Sequence, residues 1–116
     1  MNQKIVTAVK ALDKKKAIDI KAIKVEDLTI VTEAFVIAAG TSSTHVRSLA
    51  DETEYQMSLA GFEPRQIEGK ATGWILLDYH DVIIHIFTPD QRENYSLEKL
   101  WADGEEMDIS DILTED

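Results

Sequence analysis

The segment from Gly40 to His45 has the composition of a turn that could hold an anion. It follows an apolar run and precedes a helical pattern, and backbone N–H groups at the start of a helix favour phosphate. The further glycines of a dinucleotide fingerprint and the lysine of a P-loop are missing. A tight turn with a helix N-cap is therefore the simpler interpretation. Ser42, Ser43 and His45 form no nucleophile–base pair at this spacing, because neighbouring positions at a helix start face different ways.

Four polar residues on a predicted hairpin are the second set that could do chemistry: Asp78, His80, Asp81 and His85. Carboxylates and imidazoles bind metals, but strand alternation places His85 on the same face as Ile83 and Phe87. A partly buried histidine with a hydrogen-bond partner is the better interpretation there. Acids that flank a turn usually bind the local backbone. We therefore expect no metal, no cofactor and no catalytic residue.

Charge and composition restrict the class of protein further. The 116 residues include no cysteine, which excludes disulfides, thiolate metal sites and cysteine nucleophiles. The net charge of −10 argues against nucleic-acid binding as the primary role, because phosphate backbones repel an acidic chain. Residues 1–24 nevertheless carry a local charge of +5, whereas residues 103–116 carry seven acids and no base. This distribution favours a protein partner. No apolar run approaches the ~20 residues of a membrane span, and we expect a cytoplasmic protein.

The elements that must position these residues follow from apolar periodicity. Apolar residues three and four positions apart predict a helix from Asn2 to about Lys15. They also predict a longer helix, whose apolar stripe runs from Val46 to Ala60, with Gly61 as its C-cap. Alternation or continuous apolar runs predict the strands, which cover residues 17–25, 33–39, 62–68, 74–78 and 82–87. We expect a polar loop over 88–94 and a short helix over 95–101.

The order of these elements predicts an α+β domain with a mixed sheet of about five strands flanked by helices. We assign residues 1–102 to this domain and residues 103–116 to an acidic C-terminal tail. Seven acids without a counter-ion predict a mostly mobile tail. Its apolar residues leave capacity for a weak helical contact; they are Met107, Ile109, Ile112 and Leu113.

Several stretches in register carry a resemblance to a known family. They are residues 17–20 (AIDI), 35–46 (FVIAAGTSSTHV), 68–69 (EG), 74–87 (WILLDYHDVIIHIF) and 92–101 (RENYSLEKLW). In order and spacing the chain resembles the ribosomal silencing factor (Iojap-related) family over residues 2–101. One departure is His80, which stands where the family usually has a glycine in the hairpin joint. A positive φ there strains histidine more than glycine.

The resemblance implies a fold related to the nucleotidyltransferase fold but without its catalytic carboxylates. It also implies a translation repressor that binds the free large ribosomal subunit on ribosomal protein number fourteen. Joining of the small subunit would be blocked sterically, which damps translation under nutrient limitation. The family's partner-binding face maps here onto the segment 74–81 and nearby sheet positions. The candidate contacts are Glu68, Trp74, Leu76, Asp78 and Tyr79.

Two alternatives stay open at this point. The first is a diverged nucleotidyltransferase-like enzyme that holds phosphate at Gly40 to Ser43 and Mg²⁺ at Asp78 with Asp81. That chemistry needs carboxylates that converge on metal. The second is a homodimer with a self-complementary surface. On the leading hypothesis we expect Trp74 to be an exposed aromatic beside an acid, and Asp78 to be exposed at the strand end.

Overall fold

The computed structural model describes residues 2–26, 32–69, 73–95, 99 and 102–113. The helices are α1 (Gln3–Lys14), α2 (Ser43–Leu59) and α3 (Pro89–Tyr95). The strands are β1 (Ile18–Lys24), β2 (Ala34–Ala39), β3 (Gln66–Glu68), β4 (Trp74–Asp78), β5 (Val82–Phe87) and β6 (Glu105–Glu106). They form one sheet in the order β3-β4-β5-β2-β1-β6. Only β2 and β5 pair in parallel among these strands, so the predicted α+β class with a mixed sheet is confirmed.

Both long helices begin and end at residues that the sequence marks. Asn2 caps α1 by accepting the backbone N–H of Lys4 at 2.8 Å. At the end of α2, Gly61 adopts φ +89°, and the N–H of Phe62 returns to the carbonyl of Met57. This is a Schellman ending, in which glycine takes the left-handed conformation without strain.

The sheet has a different apolar cluster on each side. Helices α1 and α2 pack on the side that contains Val82, Ile84 and Ile86 of β5. We call this the helix side. The other side contains Ile83 and Phe87 of the same strand, with Trp74 packed against them. We call this the tryptophan side. The alternation predicted for β5 is thereby confirmed, and every residue of β5 is buried.

The predicted loop over residues 88–94 is wrong, because α3 occupies Pro89–Tyr95. The sequence did carry a signal: Pro89 stands at the first helical position, where its missing N–H is harmless. The N–H of Arg92 donates to the carbonyl of Thr88, as in a helical turn. Most of the helix predicted over 95–101 lies outside the described residues. The relation to the nucleotidyltransferase fold stays a prediction.

The expectation of a mostly mobile acidic tail is wrong for residues 103–113. Glu105–Glu106 pairs antiparallel with β1 as a sixth strand, and the N–H of Met107 donates to the carbonyl of Ala22 at 2.8 Å. Ile109 and Ile112 are 7% and 9% exposed and belong to the helix-side core. Their apolar burial outweighs the local excess of acids, so this segment completes the fold.

Candidate functional site

The strand β4 brings most of the predicted contact residues to one edge of the sheet. Its neighbour on the outer side is the terminal strand β3, in which Glu68 lies directly opposite Leu76. Residues opposite each other in an antiparallel pair point to the same face, and Trp74 shares that face by alternation. Glu68 is exposed, while Trp74 and Leu76 are half-buried. These three side chains form what we call the edge face.

Trp74 is packed more closely than the sequence suggested. Its ring stacks on Phe87, the residue opposite it on β5, with ring centroids 5.0 Å apart and an interplanar angle of 27°. Its indole Nε1–H donates to Nδ1 of His85 at 3.2 Å. The expected exposed tryptophan is therefore a half-buried one, with one surface against the sheet and the remainder accessible to solvent.

Asp78 is not exposed at the strand end as expected, since only 9% of the residue is accessible. Its Oδ2 accepts Arg65 Nη2 at 2.9 Å and Arg65 Nε at 3.3 Å. Its Oδ1 accepts the backbone N–H of His80 at 2.8 Å. A carboxylate can be buried when such donors replace water, which is the physical reason for the correction. Arg65 itself remains about half exposed at the margin of the edge face.

Tyr79 lies on the opposite side of the sheet from Trp74. It is 2% exposed and belongs to the helix-side core, so its side chain is not presented at the surface. Burial raises the pKa of its hydroxyl to about 12, and the carboxylates of Glu54 and Glu63 add to the shift. Tyr79 follows Asp78 by one position, and strand alternation already indicated that the two would point apart.

Asp81 binds the start of the chain. Its carboxylate accepts hydrogen bonds from the side chains of Asn2 and Lys4, and the Lys4 ammonium also donates to the carbonyl of Tyr79. Burial raises the pKa of Asp81, but these hydrogen bonds outweigh that effect and leave the pKa lowered. Asp78 and Asp81 thus take different cationic partners, unlike the converging pair that the enzyme hypothesis requires. Within the described ranges no group of three or more potential metal ligands occurs.

The turn at Gly40 uses its polar groups internally. Thr41 donates its backbone N–H to Nδ1 of His45 at 2.8 Å, and His45 Nε2 lies 2.8 Å from the carbonyl of Lys15. Ser42 is the N-cap of α2, since its hydroxyl accepts the N–H of His45. A Cβ at Gly40 would lie 2.9 Å from the backbone nitrogen of Val46, so only glycine fits here. This geometry favours a structural turn with an N-cap.

Two residues of this region were missed by sequence reasoning. Arg65 binds Asp78, and Lys4 of α1 binds Asp81 in the hairpin joint. Neither pair has a spacing signal, because the partners are 13 and 77 positions apart along the chain. Only the strand register and the docking of α1 bring them together. No helix among the described residues is long and apolar enough to cross a membrane.

An edge face with a half-buried tryptophan and leucine, bordered by charged groups, is typical of a protein that acts by binding. The profile of the family described as "Ribosomal silencing factor during starvation" matches residues 1–116. The ribosomal silencing factor RsfS of Bacillus subtilis is 38% identical over 112 residues, which cover 94% of this chain and 95% of that protein. The chain therefore belongs to the ribosomal silencing factor family, as the resemblance predicted.

Two further comparisons extend this result. A crystal structure of a protein from Chromobacterium violaceum is similar with a TM-score of 0.85 and 30% identity, and 88% of each chain is covered. A mouse protein named "Mitochondrial assembly of ribosomal large subunit protein 1" is 36% identical over 98 residues. That match covers 81% of this chain and 43% of the mouse protein. The family and the fold are consistent with each other.

Proposed function

We propose that this protein represses translation by binding the free large ribosomal subunit and sterically blocking the small subunit. The anchor on the ribosome is ribosomal protein number fourteen of the large subunit, and the repression operates when nutrients are limiting. Membership of a family described by silencing during starvation supports the regulatory role. The name of the mouse relative, which refers to the large subunit, supports the choice of subunit. We expect it to act in the cytoplasm, where it meets free subunits.

The observation that carries this proposal is the edge face. Trp74 and Leu76 are half-buried apolar side chains on a strand in which Ile75 and Leu77 are fully buried. Tryptophan is the residue type most enriched at binding hot spots, because a large rigid surface loses little entropy on contact. Glu68 stands beside this pair on the terminal strand and supplies a carboxylate for a basic partner. We therefore propose Glu68, Trp74 and Leu76 as direct contacts.

Asp78 and Tyr79 have supporting roles in this proposal. Asp78 orients Arg65 at the margin of the edge face through their paired hydrogen bonds. Tyr79 fills the helix-side core beneath the hairpin that carries the face. A contact between Asp78 and the partner would have to be made through atoms that Arg65 and His80 leave accessible.

Charge favours a ribosomal protein over ribosomal RNA as the anchor. The net charge of the chain is −10, and phosphate backbones repel such a surface. Ribosomal proteins that lie on RNA are basic, so complementary charge would speed and orient the encounter. Obstruction needs only occupation of a surface that the small subunit must touch. No reaction is required for this function.

Co-sedimentation with isolated large and small subunits tests the proposal. The wild-type chain should travel with the large subunit only, and Trp74→Ala should weaken binding at least ~30-fold, as truncation of a hot spot does. Tyr55→Ala is the matched control, because Tyr55 is an exposed aromatic on α2, 58% accessible, on the helix side. It should bind like the wild type. Circular dichroism must show that both variants fold.

Two results would contradict the proposal in different ways. Wild-type protein that does not sediment with the large subunit would refute the function itself. Normal binding by folded Trp74→Ala would refute the edge face as the contact.

A rise of several degrees in melting temperature with Mg²⁺ and a nucleotide would favour the enzyme alternative, because a ligand specific to the folded state stabilises it. Sedimentation of the free protein distinguishes monomer from homodimer.

A further inference from the structure

Trp74 and His85 are diagonal neighbours on adjacent strands. Leu76 lies opposite His85 and Trp74 opposite Phe87, so the indole reaches across to the imidazole two positions along β5. The two ring centroids are 5.9 Å apart with an interplanar angle of 37°, and the indole Nε1–H donates to Nδ1 at 3.2 Å. The indole has one N–H, so this bond fixes which edge of the ring points into the sheet.

His85 is held rigidly among other aromatic rings. The His85 and Phe35 rings meet edge to face, with ring centroids 4.9 Å apart and planes at 87°. The His85 and Phe87 rings are nearly parallel, with centroids 6.1 Å apart and an interplanar angle of 10°. The residue is 5% exposed. Because Nδ1 accepts the indole hydrogen, the ring proton of the neutral imidazole is on Nε2. Among the described residues, Nε2 has no hydrogen-bond partner.

This arrangement is an unfavourable way to fill the space if packing were the only requirement. A phenylalanine would place a ring of similar shape between Phe35 and Phe87 without desolvating two nitrogens. A buried N–H without a partner destabilises a fold, and it calls for an explanation. The acceptor that His85 provides for Trp74 is such an explanation. The hydrogen bond from Trp74 to His85 indicates that the protein requires one particular orientation of the indole.

We propose that His85 is a positioning residue of the edge face, which holds the Trp74 indole against Phe87 in the orientation that meets the partner. This inference rests on the proposed function, since it assigns His85 a role through Trp74. A side chain that is already fixed loses less rotamer freedom on binding, which strengthens association without a new contact. His85 is too deeply buried to touch the partner itself.

The hydrogen bond can be tested in the free protein. The chain contains two tryptophans, so Trp101→Phe leaves Trp74 as the single indole in a ¹⁵N-labelled sample. In this background, His85→Phe should shift the indole N–H resonance and speed its exchange with solvent about tenfold or more. His85→Asn, which keeps an acceptor oxygen near the position of Nδ1, should retain protection. An unchanged resonance and exchange rate in His85→Phe would overturn the proposal.

Binding to the large subunit tests the consequence. If His85 only packs, then His85→Phe should bind like the wild type, and the smaller Asn should bind worse. If His85 positions Trp74, the order is reversed: His85→Phe should bind about three- to tenfold more weakly, and His85→Asn should lie closer to the wild type. If His85→Asn does not fold, the exchange rate of the Trp74 indole N–H in folded His85→Phe still decides whether the hydrogen bond exists.

Parallel measurement of Trp74→Ala distinguishes the positioning role of His85 from the role of the edge face as the contact surface. If Trp74→Ala loses binding while folded His85→Phe keeps it, the positioning role alone is refuted. If folded Trp74→Ala binds normally, the edge face and the positioning role are refuted together. Weakening by Trp74→Ala and by His85→Phe, with recovery in an acceptor variant, supports both.

Discussion

Arg65 and Asp78 are bound to each other twice, through their side chains and through the backbone. The guanidinium donates to Oδ2 of Asp78 at 2.9 and 3.3 Å, and the backbone N–H of Arg65 donates to the carbonyl of Asp78 at 2.7 Å. The side chain of Asp78 is 12% exposed and that of Arg65 is 51% exposed. The carboxylate that sequence reasoning assigned to a partner is therefore satisfied within the chain, and the cation is the more accessible member.

Substitution of Asp78 should affect folding before it affects binding. In Asp78→Asn the hydrogen-bond acceptor is kept but the charge is lost, and we expect a loss of about 1 kcal/mol in the free energy of unfolding. Asp78→Lys places an ammonium beside Arg65 in a buried position and should cost about 3 kcal/mol or more. Urea unfolding monitored by circular dichroism measures both. Equal stability of Asp78→Lys and wild type would show that the pair contributes nothing.

The protonation of His85 should make stability depend on pH. Burial lowers its pKa from 6.5 to about 4 in the folded chain. Between these two values the unfolded chain takes up a proton that the folded chain does not. The free energy of unfolding should therefore fall as the pH drops from 6.5 to 4, by about 3 kcal/mol in total from this group. Urea unfolding at several pH values measures this change.

His85→Phe is the control for this pH dependence, because it removes the titrating group and keeps an aromatic ring. Its stability should change less between pH 6.5 and 4, and the difference between the two curves isolates the contribution of His85. Parallel curves for the wild type and His85→Phe would contradict the lowered pKa.

The segment after residue 102 should contribute to stability. Ile109 is 7% exposed in the helix-side core, so Ile109→Ala should lower the free energy of unfolding by about 2–3 kcal/mol. Leu113 is 37% exposed, and Leu113→Ala should change the free energy of unfolding by less than about 0.5 kcal/mol. Deletion of residues 103–116 should exceed the effect of Ile109→Ala, since it also removes the strand paired with β1. A truncated chain as stable as the full one would refute this assignment.

The hairpin joint carries strain that glycine would remove. His80 adopts φ +78°, a conformation that costs a residue with a Cβ about 1 kcal/mol. His80→Gly should raise the free energy of unfolding by up to about 1 kcal/mol, because the contact of His80 Nδ1 with Arg65 is exposed and contributes little. His80→Ala keeps a Cβ and therefore the strain, so it should be less stable than His80→Gly. The prediction fails if His80→Ala equals or exceeds His80→Gly in urea unfolding.

The elements with strong local patterns could be predicted from the sequence. The stripe from Val46 to Met57 predicted α2, and Gly61 marked its end. The continuous apolar run predicted the strand β2, and the short joint after Asp78 predicted the hairpin of β4 and β5. These patterns suffice because periodicity records which face of an element is buried. The family could also be recognised from five stretches in register.

Tertiary structure decided which side chains meet. Asp78 is a candidate surface acid in the sequence, and only the β3–β4 register brings Arg65 to it. Alternation places His85 among apolar residues, but its bond to Trp74 needs the relative position of two strands. The mobility expected for the tail was predicted from its charge. Its docking depends instead on the edge of β1 that pairs with β6 and on the space that Ile109 fills in the helix-side core. Local pattern determines the burial of a face, and the pairing of distant residues is determined only when the elements pack against one another.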